Sequence, residues 1–426
     1  MTALAVPRRR TPGRPGTPAG RREAGAVRVA LGLIALAIAD DAFLHPEPGA
    51  AARDHLVSGL VPLALAAAVA VAYPRMRPGL RAVACLVCGS LAAVAGVADG
   101  LRHIATDRMA GDDLTAVLGW LAGVALIGIG VTVLWRARRR DERRARRWAR
   151  RGGIAIAGVL AAYLLVLPVA IAIVATHKAR SPVAAADLGR PYEPVSLRTR
   201  DGHRLAAWYV PSRNGAAVIA FPGRAQPVPQ ARMLARHGYG VLLLDRRGEG
   251  QSGGDYNAFG WGGAADVVAG VRYLQGRTDV DGRRIGGLGL SVGGELLLEV
   301  AAREPALKAV VAEGPGVRSL AEHLHTPGLG SLQRWVSNWV VQTGAIAVLA
   351  NASPPPDLVD LLARIPPRRV LLIQASHGAG GEELAPVYRD AADAVLWRAE
   401  GDHTGALAAQ PREYERRVVG FFDREL

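Results

Sequence analysis

The stretch RIGGLGLSVGGELLLEVAA, residues 284–302, decides the fold class. Its first part, RIGGLGL, is a short aliphatic run that reads as a buried strand, and GELLLEVAA reads as a helix. Between them Gly289-Leu290-Ser291-Val292-Gly293 fits G-x-S-x-G, in which a serine occupies a tight strand-to-helix turn. Glycines at both flanks serve that turn, because it brings neighbouring backbones together and a β-carbon at either position would collide. The N-terminus of the following helix also points toward the place where an oxyanion would form. The pattern alone occurs in ordinary strand-to-helix turns; the strand before it and the helix after it favour the chemical reading.

Outward from this turn, the chain from residue 193 onward alternates short aliphatic runs with amphipathic stretches. PVSLRTR and LAAWYVP read as an antiparallel pair around Asp201-Gly202, and AAVIAF, GVLLLD, RIGGLGL, KAVVAE, RRVLLIQ and DAVLWRA as successive strands. Helices are expected over 228–238, 261–276, 294–303 and 411–424. Alternation of this kind predicts an α/β fold with a mainly parallel, doubly covered sheet, whose ligand sites lie at the carboxyl ends of its strands. Those ends read RRGEGQSGG, SVGG, ASHGAGGEE and EGDHTGA.

Residues 193–425 resemble the α/β-hydrolase superfamily, especially its bacterial single-domain esterase and peptidase-like members. DRRGEGQSGG (245–254) resembles the family's loop after its fourth strand, VRYLQGRTDVDGRRIGGLGLSVGG (271–294) its helix-to-elbow unit, and GDHTGALAAQPREYERRVVGFFDREL (401–426) its histidine loop and closing helix. The resemblance implies a catalytic triad in the order Ser, acid, His. Ser291 would be the nucleophile. A serine hydroxyl needs a general base, and His403 follows the last predicted strand, where the family's base lies; His203, His237, His323, His325 and His377 do not. The acid belongs after RRVLLIQ, where GAGGEELAP offers glutamates in place of the family's usual aspartate. Glu382 matches best by its distance from Pro386, with Glu383, Glu313 and Asp402 as alternatives. The oxyanion hole would use the main-chain N–H of Val292 and, from FPGRAQ, of Arg224; many relatives carry His-Gly where this chain has Pro222-Gly223. Asp245, Arg247 and Gly248 are expected to brace the neighbouring loop. Residues 314–366 form a cap-like insertion, with Trp335 and Trp339 four apart for either core packing or acyl binding.

The first 175 residues have a different character. Hydrophobic residues make up 50% of the 426-residue chain, and the excess is concentrated here, in apolar runs at 26–44, 56–73, 82–98, 114–135 and 153–175. Each meets or approaches the roughly 20 residues that cross a bilayer as a helix, so about five transmembrane helices are expected. For the first run a cleaved signal peptide competes, although no clear small-residue cleavage site follows it. The net charge of +15 is concentrated too. Residues 1–28 carry seven Arg and 136–151 carry ten, and these stretches supply +14 of the total. Both flank apolar runs, and neither interleaves aromatics in the way a single-strand binding surface would, which favours lipid headgroups or topological signalling over nucleic acid. Alternate segments carry 20 Arg against three (Arg53, Arg102, Arg108), which predicts a cytoplasmic N-terminus and an extracytoplasmic catalytic domain.

The organisation expected is a basic cytoplasmic tail (1–25), a transmembrane region (26–175), a linker (176–192) and a hydrolase domain (193–426). Asp99, Asp107, Asp112 and Asp113 read as a solvated loop. Cys85 and Cys88 read as small apolar residues of a lipid-facing helix. The leading expectation is a multi-pass membrane serine hydrolase that forms an acyl-enzyme from an ester or related acyl bond of a small or lipid-like substrate, with no cofactor and no metal. A non-catalytic membrane sensor or scaffold, a peptidase and an acyltransferase are the alternatives.

Overall fold

The computed structural model describes residues 18–44, 55–106, 113–136, 144–176, 187–326, 339–378 and 381–426. The start of the basic tail, Arg53, Asp107, Arg108, Asp112, the 137–143 part of the second basic stretch, most of the expected linker and Trp335 lie outside them. The chain divides into two compact units, meeting in sequence between Ala170 and Ile171.

The N-terminal unit is helical: α1 Pro18–Ala39, α2 Leu56–Ala72, α3 Pro78–Thr106, α4 Asp113–Arg136 and α5 Arg144–Ala161, which continues through a π turn into α6 Leu167–Thr176, the helix that contains the boundary between the units. Among the described residues, four helical segments are long and apolar enough to cross a membrane: Leu56–Arg75, Pro78–Val97, Leu114–Arg136 and Ile156–Thr176. The first of the five expected runs is not among them. The run at 26–44 falls short because its helix opens on Arg21, Arg22, Glu23 and Arg28 and ends at a π turn containing Asp40 and Asp41. Polar contacts tie α1 to its neighbours at both ends. Tyr73 Oη donates to Glu23 Oε1 (3.0 Å) and Thr115 Oγ1 to Asp40 Oδ2 (2.5 Å), so α1 runs antiparallel to α2 and α4. Cys85 is buried in the bundle, with its thiol directed at Tyr73 Oη, and does not face lipid as the sequence suggests.

The second unit is built on an eight-stranded sheet in the order β1-β2-β4-β3-β5-β6-β7-β8. The strands are β1 Glu193–Arg198, β2 Arg204–Val210, β3 Ala217–Phe221, β4 Gly240–Leu244, β5 Ile285–Leu290, β6 Leu307–Glu313, β7 Arg369–His377 and β8 Val395–Asp402. β2 is antiparallel to β1 and β4, and the remaining pairs are parallel. Every run expected to be a strand is one. Successive side chains of a strand point to opposite faces, and β4 shows the consequence. Leu242 and Leu244 join a core with α8 (Ala264–Gln275) and α9 (Val292–Ala301), whereas Val241 and Leu243 join one with α7 (Val228–Arg236) and the C-terminal helix Pro411–Glu425. The sheet is therefore covered on both faces. Between β6 and β7 the insertion contains α10 Leu320–His325, α11 Trp339–Leu349 and α12 Leu358–Leu362.

Candidate active site

The carboxyl ends of β5, β7 and β8 bring together residues more than 100 positions apart. Ser291 directly follows β5 with φ +51° and ψ −125°, a conformation that a non-glycine residue adopts only when its surroundings enforce it. The enforcement is visible on both sides. A Cβ on Gly289 would lie 2.5 Å from the carbonyl carbon of Gly293, and one on Gly293 would lie 2.6 Å from the Phe221 and Pro222 oxygens. Ser291 N–H donates to Glu313 O (2.7 Å), which ties the turn to the end of β6.

His403 lies just beyond β8. Its Nε2 is 2.9 Å from Ser291 Oγ and its Nδ1 is 2.5 Å from Glu382 Oε1. Glu382 opens a short 3-10 turn, Glu382–Leu384, after Gly381 in the left-handed region at φ +94°. Its side chain is 2% exposed, and its Oε2 accepts the Ala375 N–H at 2.8 Å. Gly378 makes room for this carboxylate, because a Cβ there would lie 2.8 Å from Glu382 Cδ. The structure thus joins Ser291, His403 and Glu382 in one hydrogen-bonded line.

The alternative carboxylates lie elsewhere. Glu383 and Asp402 are exposed. Glu313 is buried beside the site and clamps the histidine loop from beneath, accepting from Ala406 N (3.0 Å) and Tyr414 Oη (2.7 Å); burial pushes its carboxyl up. Of the other histidines, His237 pairs with Glu415 at 2.7 Å, and His323 stacks on Trp339 with ring centroids 4.8 Å apart.

Val292 opens α9, so its N–H has no acceptor within the helix. Facing it is the loop after β3, where Gly223 must approach closely: a Cβ would lie 2.6 Å from Leu290 O. The next residue, Arg224, is exposed. Gln226 ties this loop to the one after β4, its Nε2 donating to Asp245 Oδ1 at 2.6 Å, while Asp245 Oδ2 accepts the Gln251 N–H. Burial pushes Asp245 up to about 6, against the Gln251 hydrogen bond. Arg247 braces the same loop, donating to Asp266 (2.7 and 2.9 Å) and Asp201 (2.6 Å).

Sequence reasoning passed over two residues here. Arg246, between Asp245 and Arg247, is 1% exposed. Glu295, one helical turn after Ser291, is buried and accepts the Gly316 N–H at 2.9 Å; burial pushes its carboxyl up to about 7. Both are charged residues with nothing in their local sequence to mark burial. A separate cavity of about 640 Å³ beside α9 is lined by Arg247, Trp261, Leu296, Arg318 and residues 350–356 of the insertion; Ser291 does not line it.

Residues 175–379 match the family model described as X-Pro dipeptidyl-peptidase (S15 family). The eight-stranded, mainly parallel sheet is typical of the α/β-hydrolase fold. The matched segment includes Ser291 and ends before Glu382 and His403. Among curated relatives, an uncharacterized protein of Mycobacterium tuberculosis is 37% identical over 144 residues, covering 32% of this chain and 50% of its own length. The α/β-hydrolase domain-containing protein WAV2 of Arabidopsis thaliana is 32% identical over 156 residues, covering 34% and 49%. The chain spans about half the length of the curated relatives it matches. A solved esterase of Pyrococcus furiosus, Pf2001, aligns with 21% identity and a TM-score of 0.47, over 58% of this chain and 98% of its own.

Proposed function

We propose that this α/β hydrolase is a membrane-anchored serine hydrolase that cleaves an ester or related acyl bond of a small or lipid-like substrate. The observation that carries the reading is the line Glu382–His403–Ser291, with spacings of 2.5 and 2.9 Å. Ser291 Oγ attacks the acyl carbon as His403 Nε2 takes its proton. Glu382 holds the imidazole tautomer through Nδ1 and stabilises the imidazolium that forms. The main-chain N–H groups of Val292 and Arg224 receive the oxyanion. Collapse of the tetrahedral intermediate releases the alcohol, protonated by His403, and leaves Ser291 acylated. Water, deprotonated by His403, then completes the cycle. The peptidase description of the matching family model favours an amide-cleaving variant of the same chemistry as the second reading.

A fluorophosphonate probe is expected to label the detergent-solubilised chain at Ser291, with no labelling of Ser291→Ala. A correctly folded wild-type chain that stays unlabelled overturns the reading and favours a non-catalytic scaffold.

We further propose that α1 crosses the membrane as a fifth span, with the N-terminus cytoplasmic and the hydrolase domain outside. Its 22 residues extend about 33 Å at the helical rise, enough for the hydrocarbon core. Its contacts at both ends with α2 and α4 support a helix lying along the bundle. Alkaline phosphatase fused after Leu426 is expected to be active, since that enzyme matures only outside the cytoplasm. An inactive phosphatase with a fluorescent C-terminal green fluorescent protein fusion would reduce the count to four.

A further inference from the structure

We propose that α11, Trp339–Leu349, lies in the surface of the lipid bilayer beside the last membrane span, so that the insertion between β6 and β7 rests on the membrane. The proposal rests on Ile156–Thr176 crossing that bilayer and is independent of which residue is the nucleophile. No charged residue occurs between Arg334 and Asp357, so α11 is uncharged all round. Its inner side buries Gln342 and Ile346. On its outer side Val340 is 62% exposed, and Gly344, one turn further on, is exposed as well. A helix that faces water carries charged or polar residues on its outer face, and a helix apolar on both faces is at home where both are away from water.

The inner contact says what covers the outer face. Ile346 packs in one buried cluster with Trp261 and Ala172, and Phe259, Ala345 and Leu349 pack against it. Ala172 is part of the span Ile156–Thr176 and, like α11, of the second unit. A backbone hydrogen bond strengthens the same junction, with Ala258 N–H donating to Ala175 O at 2.8 Å. Ala172 stands four residues before the end of the span, about 6 Å along the helix axis. That depth matches the about 5–10 Å to which helices lying in the interface sink. The 11 residues of α11 extend only about 16 Å, too short to cross the bilayer themselves. Trp339 opens the helix, and Trp is enriched at the membrane–water boundary. Lipid surrounding the span therefore continues over Val340 and Gly344.

Nitroxide labels on single cysteines test this in the full chain, reconstituted in nanodiscs of phosphatidylcholine and phosphatidylglycerol, in a Cys85→Ala, Cys88→Ala background. Val340→Cys and Gly344→Cys report on α11; a Cβ at Gly344 meets nothing within 4 Å, so the label there is accommodated. Leu165→Cys, at a 47% exposed position of the span, marks lipid, and Arg283→Cys, at a side chain 87% exposed before β5, marks water. Collision with oxygen relative to a water-soluble nickel chelate is expected to be at least about threefold higher at 340 and 344 than at 283, as for a depth of about 5–10 Å. Water-like ratios at 340 and 344 with a lipid-like ratio at 165 overturn the proposal alone. Poor collision with both reagents at 340 and 344 also overturns it, because protein and not lipid then covers α11. A water-like ratio at 165 as well removes the span and the proposal with it. If the cysteine-free background does not fold, the wild-type chain is irradiated in vesicles of the same lipids doped with a diazirine phosphatidylcholine. Label on the peptide containing 339–349 supports the proposal, and label confined to the spans overturns it.

Discussion

In the helix bundle, the Cβ that Gly89 lacks would lie 2.6 Å from the Gly123 carbonyl oxygen; at the serine turn, the one that Gly289 lacks would lie 2.5 Å from the Gly293 carbonyl carbon. The collisions avoided are alike, but their uses differ. In lipid, apolar side chains gain nothing by leaving lipid for one another, so helices associate through close backbone packing at small residues. Gly89, Gly96, Gly123 and Gly130 provide such packing between α3 and α4. At the turn, glycine lets β5, α9 and the loop after β3 converge on a serine held at φ +51°. Packing there fixes the position of one serine oxygen.

The sharpest test lies within the site. Glu382→Gln keeps the size of the side chain and removes the charge that holds the imidazole, so kcat/KM is expected to fall by about 10²–10⁴. Glu383→Gln, altered at an exposed neighbour, should stay within about threefold of wild type. Steady-state hydrolysis of a 4-nitrophenyl ester measures both, and equal losses would remove Glu382 from its assigned role.

A second pair breaks or sharpens the glycine comparison directly. Gly289→Ala and Gly123→Ala each introduce a methyl group against backbone, and each should cost about 1–3 kcal/mol of stability. Only Gly289→Ala is expected to lower kcat of the folded protein, because only there does the displaced backbone carry Ser291. Thermal unfolding with activity normalised to folded protein separates the two effects. A similar kcat loss in Gly123→Ala would show that bundle packing also controls the turn.

The smallest effect concerns carboxylates. The bundle places Glu23 and Asp40 at opposite ends of α1, whereas the hydrolase unit buries Glu295 within α9. Burial raises the Glu295 carboxyl to about 7 from an ordinary 4.5. The folded state therefore holds a proton that the unfolded chain releases, and stability from this group falls as pH rises from 4.5 toward 7. Glu295→Gln removes that penalty, so its melting temperature should exceed wild type by about 2–6 °C at pH 8, with the difference shrinking toward pH 5. A difference independent of pH would show that Glu295 does not titrate in this window.

The α/β sheet was legible because each strand is a short aliphatic run closed by glycine or a polar turn, and this local pattern survives burial on both faces. Ser291 and His403 were legible for a related reason: each directly follows a recognisable strand. The acid was harder. Glu382 and Glu383 are adjacent and chemically identical, and only the 3-10 turn after Gly381 buries one and exposes the other. The first apolar run shows the reverse problem. Its hydropathy resembles that of the other spans at its centre, but the charges at its ends exclude it from the helices apolar enough by composition.

The sequence by itself determined the division into a membrane-type half and an α/β half, the order of the strands along the chain, and the positions of a serine turn and a C-terminal histidine next to strands. These depend on periodicity and on position next to a strand, which are local properties. Tertiary structure alone decided which carboxylate reaches His403, that Glu313 clamps the histidine loop, and that Arg246 lies buried. The reason is that burial and pairing of a charged side chain depend on what the rest of the chain places around it, and two adjacent arginines or glutamates look the same until that surrounding exists.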